Sequence, residues 1–287
     1  MTSPLLEYLE QRLQVGPDRV GLLVDRADRI VARLTLPEGS RVAKVATERD
    51  AFGREAAAMN RLREAGVPVS DVITVEAGPP SLLVVTWAEG APISASTDSR
   101  TLAAVGTILR TVHEMPAKAP WSGHPSLERW IEAWLEIVVP WWESTGQASA
   151  NDRRVVWEWF GEMRPWLGNE HGSQMLFDGR PDHFLVGPDG DLHLIDVADL
   201  QAGDPVMDLA VLELEAPGIL PGILTGYRPS PTEQQRITAV AKLYGMLRAL
   251  SGAEWQTNIG GDPVAIARYL AVARKLADQP ENRNQIS

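Results

Sequence analysis

The apolar pattern of this chain changes period once, near residue 87, and that change constrains the fold more than any other feature. Before it, RVGLLVD (19–25), RIVARLTL (29–36) and RVAKVA (41–46) are short β-type runs separated by turn signals, PEGS (37–40) among them. They read as an antiparallel meander. Residues 48–65, rich in Ala, Glu, Arg, Met and Leu and stopped by Gly66, read as one helix packed on it. ITVEAG (73–78) and SLLVVTW (81–87) add two strands, and AEGAPIS (88–94) is a Gly/Pro connector. Beyond it LAAVGTILRTVHEM, SLERWIEAWLEIVV, a Trp-rich run and several segments after residue 204 have helical spacing. They are interrupted by one hairpin signal, HFLVGPDGDLHLIDV, with PDGD at its tip. The expected organisation is α+β: a small five-stranded antiparallel sheet plus helix over residues 1–87, a hinge at 88–92, and a larger, mainly helical part over 93–287 that ends in a polar tail.

Charge and residue usage narrow the function classes. The net charge is −11, about −10 of it after residue 87. Nucleic acid and anionic membrane, which require basic patches, are thereby disfavoured as partners, and cationic partners fit better. With no cysteine, disulfide and thiolate chemistry are excluded, and a metal must be held by Asp, Glu, His or Asn. The first residues, MTSPLLEYLEQRL, have no basic n-region and read as an amphipathic helix, and no apolar run reaches the ~18 residues of a bilayer span. A cytoplasmic protein is expected.

No GxxxxGK[ST], HExxH, GxSxG or dinucleotide glycine signature occurs. What remains is an ordered series: Lys44 in a strand, Glu55 in the next helix, Asp178 and His183 in FDGRPDHFLV, Asp196 in HLIDVAD, then Asp204 and Asp208 in GDPVMDLA. Lone residues of these kinds are usually turn, cap or surface groups; the series is more specific than its members. In that order and context the chain resembles the aminoglycoside phosphotransferase family, a branch of the protein-kinase-like fold, from about residue 20 to about residue 270. The family's run is roughly HGDxxxxN, an apolar strand, an IDF-type strand end and GDPxxDLA.

The resemblance implies a bilobal protein-kinase-like fold and transfer of the γ-phosphate of ATP or GTP, with Mg²⁺, to a small cationic antibiotic. Phosphoryl transfer needs positioning and charge neutralisation more than covalent help. Lys44 would contact the α/β-phosphates, braced by Glu55. Asp178 would take the acceptor's proton or orient its hydroxyl, and Arg180 would stabilise charge on the transferred group. Asp196 would hold Mg²⁺. Asp208 would support the catalytic loop, and Asp204 would cap the helix beginning near Pro205. By position, Trp87 to Glu89 would face the purine edge between Val42 and Val85.

The chain departs from the family in three places. Leu176 and Phe177 replace the usual His-Gly. His183 stands where the second metal's asparagine is expected, and imidazole suits Mn²⁺ or Zn²⁺ better than Mg²⁺. The loop VDRADRI contains no glycine, which leaves side chains such as Arg26 to meet the nucleotide. Eight of the ten tryptophans, beginning with Trp121, fall between residues 121 and 166. Trp130 and Trp134 share a helical face, as core or as an acceptor wall. Glu128, Glu132 and Glu136 form a stripe at i, i+4 spacing, either a solvated face or an attraction for a cationic acceptor. A metabolite kinase (choline, homoserine or a sugar-like acceptor) and a pseudokinase that only binds nucleotide stay open, as does monomer or homodimer.

Overall fold

The computed structural model describes residues 3–117, 123–167 and 172–278. Trp121 and the polar tail after residue 278 lie outside the described residues. Helix α1 (Pro4–Leu13) precedes strands β1 (Val20–Asp25), β2 (Arg29–Leu36) and β3 (Gly39–Ala46), helix α2 (Gly53–Glu64), and strands β4 (Val72–Glu76) and β5 (Ser81–Thr86). The five strands form one antiparallel sheet in the order β1-β2-β3-β5-β4. Side chains alternate across it. Ile30, Ala32, Leu34, Ala43, Val45, Leu82 and Val84 close a separate small core with Leu5 and Leu9 of α1. The other face sends Ala46, Leu83 and Val85 into the main core with Ala56, Met59 and Leu62 of α2. Lys44 belongs to that second face.

Helix α2 starts five residues later than its composition predicts. The carbonyl of Glu48 accepts from the Ser81 hydroxyl at 2.7 Å. The N–H of Asp50, a left-handed residue (φ 55°), donates to Ala77 O at 3.1 Å. Tertiary partners thus take the backbone groups that a first helical turn would need, and they override the strong helix formers there.

After β5 the chain is helical around short strands. Strand β6 (Ala91–Pro92) pairs with β8 (Phe184–Val186), which pairs with β9 (Leu192–Leu194), while β7 (Ser173–Met175) pairs with β10 (Gln201–Gly203). The β8–β9 turn closes through Gly187 N–H to Asp191 O at 2.8 Å, with Gly190 at φ 82°. The helices are α3 (Ser99–Glu114), α4 (Leu127–Ser144), α5 (Ala150–Met163), α6 (Val206–Glu215), α7 (Leu220–Tyr227), α8 (Pro231–Asn258) and α9 (Pro263–Asp278). Asp98 caps α3, and Ser149 and Ser230 form capping boxes with Asp152 and Glu233. Helix α4 continues through Pro140 to Ser144, past the end its apolar run suggests. Buried Val138, Val139 and Trp142 around the proline supply the packing that offsets the lost backbone bond. Among the described residues no helix is long and apolar enough to cross a membrane.

Two backbone features fix the frame. Leu194 N–H donates to Pro68 O at 2.8 Å, and Val69 forms a bridge with Leu194, so the segment after α2 is tied to β9. Helices α3 and α7 touch backbone to backbone: a Cβ on Gly226 would lie 1.7 Å from Ala103 O, and one on Gly106 2.0 Å from Ile223 O. Gly226→Ala must force these helices apart and is expected to lower the unfolding free energy by about 3 kcal/mol or more. Gly161→Ala in α5, where an added Cβ meets nothing within 4 Å, is expected to raise it by about 0.5–1 kcal/mol. Urea denaturation of the two variants checks both signs.

Candidate active site

Helix α2, strand β3 and the segment after β9 bring three charges together. Lys44 Nζ lies 2.7 Å from Glu55 Oε1 and 3.2 Å from Asp196 Oδ1. Glu55 is buried in the first turn of α2, and Asp196 is half exposed at the cleft. Burial alone would lower the Lys44 ammonium, but Glu55 and Asp196 outweigh it and hold the group above its usual 10.5. Burial likewise pushes the Asp196 carboxyl up, and Lys44 pulls it below the usual 3.8. Asp196 takes a left-handed conformation (φ 54°), which aspartate tolerates.

On the opposite side lies the loop between β7 and β8. Asp178 Oδ1 accepts from Arg248 Nη2 at 2.9 Å, and its Oδ2 is 3.6 Å from Arg180 Nε. The residue before it, Phe177, has φ 67°, a costly conformation for a bulky side chain. What holds it there is specific. Asp208, fully buried in α6, accepts from the N–H groups of Leu176 (2.7 Å) and Phe177 (2.9 Å) and is 3.1 Å from His113 Nε2, whose Nδ1 meets Tyr227 Oη at 3.0 Å. The Phe177 ring packs on Trp130 and Trp134 at 6.2 and 5.9 Å, with the Arg248 guanidinium 4.8 Å above it. The tryptophan pair is therefore both core and the wall of the Asp178 loop. His183 is buried, and its Nε2 is 3.2 Å from Arg180 Nη2 and 3.8 Å from Asp196 Oδ2.

The remaining candidates divide. Asp204 accepts from Val206 N–H at the start of α6 (3.0 Å) and is also the buried hub for Arg236 (Nη1 to Oδ1 2.8 Å) and Tyr244. Val42 and Val85 are cross-strand partners on the face of β3 and β5 that packs on the main core. Trp87 stacks under the Arg33 guanidinium at 4.4 Å, while Glu89 and Arg26 are exposed. Of the acidic stripe, Glu128 pairs with Arg164 and Glu132 with Arg129; Glu136 is exposed. Two of the three carboxylates are thus committed to local arginines.

Several groups here carry no role in the sequence reading. Asp199 lies within reach of the same field: burial, Asp178 and Asp196 raise its carboxyl above the usual value. Arg248 is an arginine in a helix whose residues 243–247, 249 and 250 are buried, and such a cation needs a partner. That pattern could have marked it. His113 and Arg33 leave no comparable local signal. Among the described residues no group of three or more His, Asp or Glu side chains is arranged to hold a metal by itself.

Residues 21–244 match the profile of the phosphotransferase enzyme family (APH). Solved structures share the fold at low identity. A macrolide 2'-phosphotransferase from Brachybacterium faecium is 16% identical, with TM-score 0.65 over 98% of this chain and 100% of that one. The GDP and kanamycin complex of APH(2'')-IIia is 12% identical, with TM-score 0.73 over 94% and 98%. A choline/ethanolamine kinase family protein from Mesorhizobium loti is 18% identical, with TM-score 0.69 over 96% of each chain. A search of curated proteins gives no match.

Two measurements follow from this geometry. Asp208→Ala strands the buried N–H of Leu176 and the part-buried N–H of Phe177 and is expected to cost about 3–5 kcal/mol in urea unfolding, well beyond an ordinary surface change. The Lys44–Asp196 contact also has a pH window. Asp196 is depressed in the folded state, so its contribution is present above 3.8 and lost as pH falls through its lower folded value. Lys44 is raised, so its contribution is full below 10.5 and lost as pH rises through its higher folded value. The stability difference between wild type and Asp196→Asn is expected to be flat between about pH 5 and 9 and to shrink in stronger acid.

Proposed function

The chain belongs to the phosphotransferase enzyme family, and on that premise we propose that it moves the γ-phosphoryl group of ATP or GTP to a hydroxyl of a small, cationic, antibiotic-like acceptor. The observation that carries the reading is the continuous series of contacts from Glu55 and Lys44 through Asp196 and His183 to Arg180 and Asp178, with Lys44 held by Glu55 at 2.7 Å. Lys44 is a fixed, charged donor for the α/β-phosphates, and Glu55 keeps it extended. Val42 and Val85 form the apolar wall for the base, and the connector from Trp87 to Glu89 supplies backbone groups to its edge.

Asp178 receives the acceptor hydroxyl on Oδ2, because Oδ1 is occupied by Arg248. Its position depends on the Asp208 clamp two residues upstream, which makes Asp208 a positioning residue. The donor set fits one hard cation: Asp196 presents a half-exposed carboxylate, and a Mg²⁺ there would complete its shell from phosphate and water oxygens. When bound, that ion would neutralise phosphate charge. Acceptor recognition falls to the acidic surroundings, Asp199 and the exposed Glu136 among them, and to the aromatic wall of Trp134 and Phe177.

The test is coupled turnover of ATP and GTP against aminoglycosides, macrolides, choline, homoserine and simple sugars. Wild type is expected to turn over at least one cationic drug, with Asp178→Ala reducing the rate by about 10²–10⁴-fold while thermal unfolding is preserved. Turnover confined to choline, homoserine or sugars would assign a metabolite kinase. If nothing is phosphorylated and nucleotide binding survives the loss of both Asp178 and Asp196, the protein is a nucleotide-binding module.

A further inference from the structure

Resting on the phosphotransfer reading, we infer that this site takes one divalent cation and that the Arg180 guanidinium supplies the second positive charge at the nucleotide phosphates. The family resemblance places a second metal ligand at residue 183. The donor set there does not fit one. Arg180 precedes a tight turn, Pro181–His183, closed by His183 N–H to Arg180 O at 3.0 Å, and the turn folds the arginine side chain back over its own loop. Its Nη2 then lies 3.2 Å from His183 Nε2 and 3.3 Å from Asp182 Oδ2, and its Nε lies 3.6 Å from Asp178 Oδ2.

Chemistry fixes the direction of the Arg180–His183 contact. A guanidinium has five N–H donors, no lone pair and a charge that is never lost in a protein. Arg180 therefore donates, and His183 Nε2 accepts with the lone pair a metal would require; the proton of the neutral ring is then on Nδ1. His183 is 4% exposed, so solvent does not compete with Arg180 for the ring. The face of Asp196 toward His183 meets this already paired imidazole at 3.8 Å, while its other oxygen is on Lys44. A divalent ion bridging Asp196 and His183 would have to evict the guanidinium or sit against it. Arg180 Nε, 3.6 Å from Asp178 Oδ2, has no hydrogen-bond partner, so the guanidinium keeps one N–H uncommitted beside that carboxylate.

Electron paramagnetic resonance titration of Mn²⁺ with a non-hydrolysable ATP or GTP analogue counts the sites, and analogue binding is measured separately by calorimetry. One Mn²⁺ per bound analogue is expected for wild type. Two are expected for Arg180→Ala/His183→Asn, which removes the guanidinium and restores an oxygen donor, with thermal unfolding as the folding control. Arg180→Ala alone is expected to weaken analogue binding about ten- to hundredfold, and Arg180→Lys to recover part of it. Two Mn²⁺ in wild type, or loss of its single Mn²⁺ on His183→Ala, would overturn the inference and leave the phosphotransfer reading standing. Absence of analogue binding in wild type would overturn both.

Discussion

A lysine ammonium set among apolar strands is the constraint on which this structure depends. Lys44 cannot be withdrawn from water without compensation, and the sheet offers none, because its neighbours on that face are Val42, Ala46 and Leu83. The two carboxylates that satisfy it come from different places: Glu55 from the helix laid on the sheet, Asp196 from a residue 152 positions later in the helical part. One charge thereby links the placement of α2, the approach of the two halves and the carboxylate that faces both Lys44 and His183 of the Asp178 loop.

The strand and helix alternation was legible because it follows from local periodicity. The five strands, the embedded β8–β9 hairpin and the helical remainder lie where the apolar pattern puts them. The start of α2 was not legible, since its competitors are Ser81 and Ala77, partners about thirty residues away. The same limit applies at the cleft. Short motifs name residues that come together, such as Lys44 and Asp196, but they say nothing of Arg248, which reaches Asp178 across 70 positions. Spacing alone suggested an open acidic stripe at Glu128, Glu132 and Glu136; it could not see Arg164, which closes on Glu128 from 36 residues downstream.

The Asp178 loop is a strained element held from below. A phenylalanine at positive φ persists only where surroundings over-determine it. Here they are one buried carboxylate receiving two N–H groups, a His113–Tyr227 pair beneath that carboxylate, and two tryptophans with an arginine around the ring. Leu176 and Phe177, which stand where the family has His-Gly, thus join a different solution to the same problem: the loop is clamped through its backbone by Asp208 and through its side chain by α4 and α8.

The tie between Pro68 and Leu194 gives the cleft its mechanics. It pins the segment after the C-terminal end of α2 to β9, two residues before Asp196, while Glu55 at the N-terminal end of the same helix is held by Lys44. Residues 194 and 196 thus fasten the helical part to both ends of the unit formed by β3 and α2, one through its backbone at Pro68 and the other through its carboxylate at Lys44.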